Sequence, residues 1–381
     1  MRKNAYLIDT SQRPAYLLLM IQEWLILVLN LVVTVMAVVL TTLAVRLHSN
    51  SGFAGASLYS LISFGENLSG IVMFYTKLET SIGAVARLKN FSDKVQPEDR
   101  DGEDIVPPEQ WPQQGVVELN GVSASYTSSR EEDQTDETPN LALCDIRLTI
   151  RGGEKVAVCG RTGSGKSSFI ALLLKLLDPH PESRDNTLID KMSLHRIDRR
   201  TLRERIIAVP QETVFLPDGS TFRENLDPLD VSTREECDAV LAALKLSNFV
   251  QERGGLDASM SAGTFSAGQR QLMSLGRALL RRYVRSRKLG VGSRGSDRGI
   301  LLLDEVSSSV DQDTERLMQE IIRAEFQDFT VIAVSHRLDM IMEFDTVVVM
   351  DTGEIVEVGN PRTLAAEEGT RFADLVRAGA K

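Results

Sequence analysis

A glycine-rich stretch with one lysine and one serine has the spacing of a phosphate-binding loop. Residues 160–167 read GRTGSGKS and match G-x-x-x-x-G-K-[ST] between two apolar stretches, 155–159 and 169–177. The glycines let main-chain N–H groups surround phosphate oxygens. We expect Lys166 to neutralise the β- and γ-phosphates of a nucleotide and Ser167 to bind Mg²⁺. The predicted binding set of this loop is Gly160, Arg161, Thr162, Gly163, Ser164, Gly165, Lys166, Ser167 and Ser168.

Two adjacent carboxylates end an apolar run further along the chain. Residues 300–303 read ILLL, which is typical of a buried parallel strand, and Asp304 and Glu305 follow directly. At the end of such a strand, Asp304 would lie near the Mg²⁺ and Glu305 near the γ-phosphate. There Glu305 could act as the base for an attacking water molecule. The pair alone could equally be a strand followed by a turn, so the assignment depends on the loop upstream.

A third stretch resembles the signature sequence of ABC ATPases. Residues 265–271 read FSAGQRQ, in which Phe265 and Ala267 replace the commoner Leu and Gly without removing a hydrogen-bond donor. Four further motifs of this family occur in the family's order. They are Tyr126 at the adenine-stacking position, Gln211 in the Q-loop, residues 308–311 as the D-loop and His336 as the switch histidine.

The resemblance implies that two such domains sandwich two ATP molecules. Ser266, Gly268 and Gln269 would then act on ATP bound by the partner domain, and Asp311 belongs to the same nucleotide-binding set. Tyr126 would stack on the adenine, although an ordinary strand aromatic is the alternative interpretation.

The resemblance also implies how hydrolysis is carried out. Ser167, Gln211 and Asp304 would hold the Mg²⁺, while Glu305, His336 and Gln211 form the predicted catalytic set. His336 would contact the γ-phosphate and the water. Gln211 would also report the nucleotide state to membrane helices.

The elements that must position these residues follow an α/β pattern from residue 115 onward. Apolar, β-branched runs at 155–159, 206–209, 300–303 and 330–334 predict buried parallel strands that alternate with helices. Alternating residues at 116–126 and 143–150 predict a flanking antiparallel sheet, and runs on either side of 351–353 predict a hairpin. The predicted fold is an α-helical membrane hairpin plus an α/β P-loop NTPase domain. The resemblance implies that this domain has a mixed sheet, an antiparallel β subdomain and a helical subdomain.

The N-terminal part of the chain predicts a membrane-embedded hairpin. Residues 24–45 carry no charge and would span about 33 Å as a helix, enough to cross a bilayer core. Residues 52–75 are also long enough, but they contain Glu66 and many small residues that favour packing inside a helical bundle. Glu66 would either line a substrate path or pair with a polar group of a neighbouring helix. Flanking basic residues place both ends in the cytoplasm.

The predicted domain organisation follows from these segments. Residues 1–92 form a partial transmembrane domain, a Pro- and acid-rich linker covers 93–114, and the nucleotide-binding domain covers 115–381. We expect residues 283–299 to be a surface loop, because they are rich in Arg, Gly and Ser. The acidic stretches 98–104 and 131–137 are expected to be solvated.

Composition narrows the class of partner. The net charge of −10 disfavours nucleic acid. The three widely spaced cysteines, Cys144, Cys159 and Cys237, do not form a metal motif and are expected to pack as small apolar side chains.

The resemblance extends from the family to one of its subfamilies. Residues 223–228, RENLDP, and residues upstream at 12–25 are similar to the multidrug-resistance-associated subfamily. This implies the last two helices of a membrane domain followed by a second nucleotide-binding domain. The partners would be the remaining helices, another nucleotide-binding domain and a small-molecule substrate.

The implied function is ATP-driven export of amphipathic organic anions or xenobiotics by a multi-pass protein of the plasma or vacuolar membrane. The ATPase domain would be cytoplasmic. Three alternatives remain open at this point. They are a non-transporting ABC ATPase of translation or DNA repair, a regulatory or channel-type subunit, and a truncated, inactive chain.

Overall fold

The computed structural model describes residues 2–46, 51–95, 97–98, 102–126, 141–290, 298–306, 310–335 and 337–379. Its contacts divide the chain into two compact units, Met1–Glu98 and Asp99–Lys381. Three predictions fall outside the described residues: the switch histidine His336, the D-loop serines Ser308 and Ser309, and the acidic stretch 131–137.

The first unit consists of two long helices, α1 (Arg2–Arg46) and α2 (Ser51–Lys94). Both extend well beyond the predicted spans of 24–45 and 52–75. The helices approach closely at Gly65, where a Cβ atom would lie 3.1 Å from a methyl group of Val33. By length and composition, one helix among the described residues could cross a membrane, over Leu7–Arg46, with a mean hydropathy of 2.6 in an 18-residue window. The side chain of Glu66 is exposed on α2.

The second unit contains two sheets. Within the described residues their strands are β1 (Val117–Ala124), β2 (Leu143–Ile150), β3 (Lys155–Gly160), β4 (Thr187–Ile189), β5 (Met192–Ser193), β6 (Ile207–Val209), β7 (Ile300–Asp304), β8 (Thr330–Val334), β9 (Thr346–Asp351) and β10 (Glu354–Gly359).

The larger sheet has the order β10-β9-β3-β8-β7-β6 among the described residues. Strands β3, β6, β7, β8 and β9 are parallel, while β10 pairs antiparallel with β9 across the turn at 351–353. The predicted parallel runs and the predicted hairpin are therefore confirmed. Residues of β8 are buried on both faces, as expected for a central parallel strand.

The smaller sheet has the order β2-β1-β4-β5 and is antiparallel. Strands β1 and β2 pair with Val117 opposite Ile150, which confirms the predicted flanking sheet. A shared core of buried residues, including Leu119, Ile146 and Phe169, joins this sheet to one face of the larger one.

Helices cover the remaining faces. Those of the second unit are α3 (Lys166–Leu173), α4 (Arg199–Arg205), α5 (Phe222–Leu226), α6 (Arg234–Ala243), α7 (Ser247–Gln251), α8 (Ala267–Lys288), α9 (Gln312–Glu325), α10 (Leu338–Ile341), α11 (Pro361–Ala366) and α12 (Arg371–Gly379). Helices α5 to α8 share one apolar core built around Phe222, Val240, Leu244 and Leu272. The predicted mixed α/β fold with a helical subdomain is thus present.

The prediction of a surface loop over 283–299 is wrong for its first part. Helix α8 continues through residues 283–288, and Val284 in this part of the helix is buried. The arginines that suggested a loop are good helix formers. They also make tertiary contacts, because Arg287 donates to the carboxylate of Glu236 at 2.8 Å and Arg285 donates to the main-chain oxygen of Pro112 at 3.0 Å.

Residues 103–114 were predicted as part of a linker. In the structure they belong to the second unit and pack against the rest of it. The indole of Trp111 is buried and its Nε1 donates to the carbonyl oxygen of Ile189 at 3.2 Å. The carboxylate of Glu103 lies 3.0 Å from Lys175 and 2.8 Å from Arg199, and all three side chains are at most 7% exposed. We refer to residues 103–114 as the docking strap.

Candidate functional site

The phosphate-type loop is formed between the end of β3 and the start of α3. Its backbone is tight at both ends, so glycine is required there. A Cβ at Gly160 would lie 2.3 Å from the carbonyl oxygen of Met350. Gly165 has φ of 99°, a left-handed conformation that L side chains rarely adopt, and immediately precedes α3. The loop therefore ends at a helix N-terminus, where main-chain N–H groups bind anions favourably.

Lys166 is fixed inside this loop. Its Nζ donates to the carbonyl oxygens of Gly160 at 3.1 Å and Arg161 at 3.0 Å, and its side chain is buried. Burial lowers the pKa of Lys166, while the nearby carboxylates of Glu305 and Asp304 act in the opposite direction. The ammonium group is thus held in place close to the carboxylates at the end of β7.

Asp304 is the last residue of β7 and Glu305 follows it directly, so the strand ends in the two carboxylates as predicted. The Oδ1 atom of Asp304 is buried and has no hydrogen-bond partner within the described residues. Burial raises the pKa of Asp304, the charge of Glu305 raises it further, and Lys166 opposes this. A buried carboxylate oxygen without a donor is costly unless a cation binds it, and Mg²⁺ prefers oxygen ligands. This geometry fits a Mg²⁺ ion.

Gln211 reaches the same place from the segment that follows β6. Its Nε2 donates to Oε2 of Glu305 at 3.0 Å. The Glu305 backbone is itself in the left-handed region, with φ of 45°. A non-glycine residue in that conformation is strained and is often found at functional sites.

Lys166, Gln211 and Glu305 line one cavity of about 740 Å³, and Asp304 is not part of its lining. This volume lies within the range of pockets that hold small ligands. The loop, Gln211 and Glu305 are brought together there by the parallel strands β3, β6 and β7. The lining residues are Leu141, Ala142, Thr162, Gly163, Gly165, Lys166, Ser167, Ser168, Gln211, Glu305, Thr352 and Gly353.

Tyr126 lies just beyond the end of β1 with its ring 68% exposed. Its hydroxyl is 3.1 Å from the hydroxyl of Ser168 in the loop helix. The ring is therefore tied to the loop and still offers a free face to a flat base.

The signature residues occupy a different place. Ser266 caps α8, where its Oγ accepts from the N–H of Gln269 at 3.1 Å and Oε1 of Gln269 accepts from the N–H of Ser266 at 3.0 Å. A Cβ at Gly268 would lie 2.9 Å from Oγ1 of Thr314 and 3.4 Å from Oδ1 of Asp311. The signature residues therefore lie beside Asp311, and none of them lines the cavity.

Some residues of the cavity were not singled out from the sequence. Thr352 and Gly353 come from the β9–β10 turn, and the N–H of Gly353 donates to the carbonyl oxygen of Ser164 at 3.1 Å. The turn itself was predicted. Its place beside the loop follows from the pairing of β9 with β3, which a single sequence does not reveal.

Comparisons with known proteins agree with this geometry. Residues 143–284 match the family described as ABC transporter. The chain is 62% identical over 387 residues to the ABC-type transporter braE of Annulohypoxylon truncatum, covering 98% of this chain and 26% of that protein. It is 51% identical over 376 residues to the ABC transporter FGM5 of Gibberella zeae, covering 98% and 25%. The chain thus spans about a quarter of the length of these curated relatives.

A solved structure shares the fold. A bacterial Atm1-family ABC exporter with ATP bound superposes with a TM-score of 0.68 at 23% identity, over 93% of this chain and 58% of that chain. At this identity the likeness concerns the fold alone. The family match over 143–284 and the similarity to the two ABC transporters, together with the loop and the carboxylate pair, show that this chain carries an ATPase domain of the ABC transporter family.

Proposed function

We propose that this chain binds and hydrolyses ATP to drive the export of a small molecule across a membrane. The observation that carries the proposal is the single cavity lined by Lys166, Ser167, Gln211 and Glu305. The similarity to ABC transporters over 98% of the chain supports transport as the use of that ATP.

The proposed roles follow from the geometry of the site. Lys166 binds the β- and γ-phosphates, and Tyr126 stacks on the adenine. Ser167, Asp304 and Gln211 hold Mg²⁺, which would neutralise phosphate charge as the γ-phosphoryl bond breaks. Glu305 accepts the proton of the attacking water.

Two further sets of residues complete the proposed site. His336 contacts the γ-phosphate. Ser266, Gly268, Gln269 and Asp311 act on ATP held by a second nucleotide-binding domain, which agrees with their absence from the lining of this cavity.

The finer identity is also a proposal. The stretch 223–228 supports membership of the multidrug-resistance-associated subfamily and hence amphipathic organic anions or xenobiotics as substrates. Export would require transmembrane helices beyond those of this chain. Stimulation of ATP hydrolysis by such compounds would support transport over a purely regulatory role.

Replacement of Glu305 tests the ATPase proposal. Glu305→Gln keeps the side-chain shape and removes the base, so we expect the rate of ATP hydrolysis to fall by about 10²-fold or more while ATP still binds. The measurement is phosphate release by the purified chain in detergent, with Glu320→Gln, an exposed residue of α9, as the control. An unchanged rate in Glu305→Gln would contradict the assignment.

Residues 1–92 are proposed to form part of a multi-pass membrane domain, with the ATPase domain on the cytoplasmic side. The apolar helix over Leu7–Arg46 supports this. Alkaline carbonate washing of membranes from expressing cells is expected to leave the chain in the pellet. Release into the supernatant would favour a non-transporting ABC ATPase of translation or DNA repair instead.

A further inference from the structure

Gln271 connects the signature helix to the Q-loop and has not been assigned a role above. It lies on α8, five residues after the capping residue Ser266, and is only 8% exposed. Its side-chain amide nitrogen donates to the main-chain carbonyl oxygen of Gln211 at 2.9 Å. Because a carbonyl can only accept, this contact fixes which end of the amide faces Gln211.

Gln211 is therefore held at two points. Gln271 holds its main chain, and its side chain donates to Glu305 at 3.0 Å. Because Gln211 follows the last residue of β6 by only two positions, its position also depends on where that strand ends. A shift of its main chain would move its amide relative to the carboxylate of Glu305.

The segment after Gln211 is restrained by the same part of the molecule. Phe215 stacks on Phe265, which directly precedes Ser266, with ring centroids 5.4 Å apart and an interplanar angle of 26°. The N–H of Leu216 donates to Oδ1 of Asn225 at 2.9 Å. These contacts hold Phe215 and Leu216, at the end of the segment away from β6. At the start of the segment, the side chain of Gln271 holds the main chain of Gln211.

We propose that Gln271 is a positioning residue for the ATPase site, which holds the main chain of Gln211 so that its side chain stays on Glu305. This inference rests on the proposed ATPase function. Gln271 lines no part of the cavity, so its effect passes through Gln211. Small displacements of a catalytic group reduce rates strongly, while nucleotide affinity depends on the loop and on Tyr126.

Kinetics of two variants test the proposal. Gln271→Leu removes the donor, and Gln271→Met removes it while keeping nearly the length of the side chain. For both we expect kcat for ATP hydrolysis to fall about tenfold, equivalent to about 1.4 kcal/mol, with KM for ATP within about twofold of the wild type. The control is Met273→Leu, a volume-conserving change at a fully buried position of the same helix, which should leave both constants unchanged.

The outcomes separate this inference from the function it depends on. A kcat within twofold of the wild type in both Gln271 variants would overturn the inference alone. So would a rise in KM that matches the fall in kcat, or an equal loss in Met273→Leu, since either would indicate general damage to the fold. If Gln271→Leu does not fold, the more closely matched Gln271→Met decides. A wild-type chain that hydrolyses no Mg-ATP would overturn the proposed function together with this inference.

Discussion

Tyr126 is proposed to bind the nucleotide through its ring, without touching phosphate. Its ring is exposed, and its hydroxyl is held 3.1 Å from that of Ser168. Stacking on a base contributes about 1–3 kcal/mol, so Tyr126→Ala is expected to raise the Kd for ATP by about tenfold or more. Titration of a fluorescent ATP analogue in the presence of Mg²⁺ measures this.

Tyr126→Phe is the matched control. It keeps the ring and removes only the exposed contact with Ser168, so its Kd should change by no more than about threefold. Equal affinity of the wild type and Tyr126→Ala would show that the ring is an ordinary strand aromatic.

Residue types and spacing were sufficient to predict the loop at 160–168 and the carboxylates at 304–305. Both are local patterns in which a strand end and a helix start define the chemistry. The contact between Gln271 and Gln211 could not be predicted in this way, because it joins residues 60 positions apart. Such contacts depend on how α8 packs against the end of β6. The hydrophobic periodicity of a single sequence does not predict that packing.

The docking strap contributes a buried ionic cluster to the second unit. Glu103 lies between Lys175 and Arg199, and Lys175 also donates to the carbonyl oxygens of His195 and Ile197. Burial lowers the pKa of Lys175, and Glu103 opposes this by a hydrogen bond and by its charge. The three side chains therefore satisfy one another in a place where a lone charge would be costly.

Glu103→Gln should destabilise the second unit strongly. It leaves the charge of Lys175 buried without Glu103, while Arg199 keeps its ion pair with Asp178. Removal of one partner from a buried ion pair costs about 3–5 kcal/mol in comparable cases. The measurement is the free energy of unfolding by urea, followed by the fluorescence of Trp111 in the strap.

Arg200→Ala is the control for this change. Arg200 forms an exposed pair with Glu204, in which the two side chains are 87% and 53% exposed. Exposed pairs of this kind contribute about 0.3–0.5 kcal/mol. Similar losses in the two variants would mean that the strap is not held by its ionic cluster.

At the scale of elements, the sequence predicted strands better than it predicted what packs on them. The runs at 155–159, 300–303 and 330–334 carry a strong apolar signal and became β3, β7 and β8. The strap was predicted as linker because Pro and acidic residues are typical of linkers. Its packing depends on ion pairs of Glu103 with Arg199 of α4 and with Lys175, which follows α3. The composition of the strap alone does not reveal these pairs.

For the whole molecule, the position of the signature residues has a consequence for assembly. Ser266, Gly268 and Gln269 do not line the cavity that contains Lys166. If they contact ATP, that ATP must be bound to another nucleotide-binding domain. A complete site would then combine Lys166 of one domain with Ser266 of another.

Mixing two inactive variants tests this arrangement in copies of the chain. Lys166→Ala removes the phosphate-binding cation. Ser266→Asp keeps a good helix cap but places a negative charge towards the partner's phosphates, whereas Ser266→Asn keeps the cap without charge and should remain active. Each of the first two variants alone is expected to hydrolyse little ATP.

In an equimolar mixture, half of the dimers pair unlike copies, and each of these contains one site with intact Lys166 and intact Ser266. We therefore expect phosphate release to recover to about a quarter of the wild-type rate for a symmetric dimer. The recovery should grow with protein concentration, since it requires association. A mixture no more active than the average of the two variants would show that copies of this chain do not complete one another's sites. Lys166 and Ser266 would then require a different nucleotide-binding domain as partner.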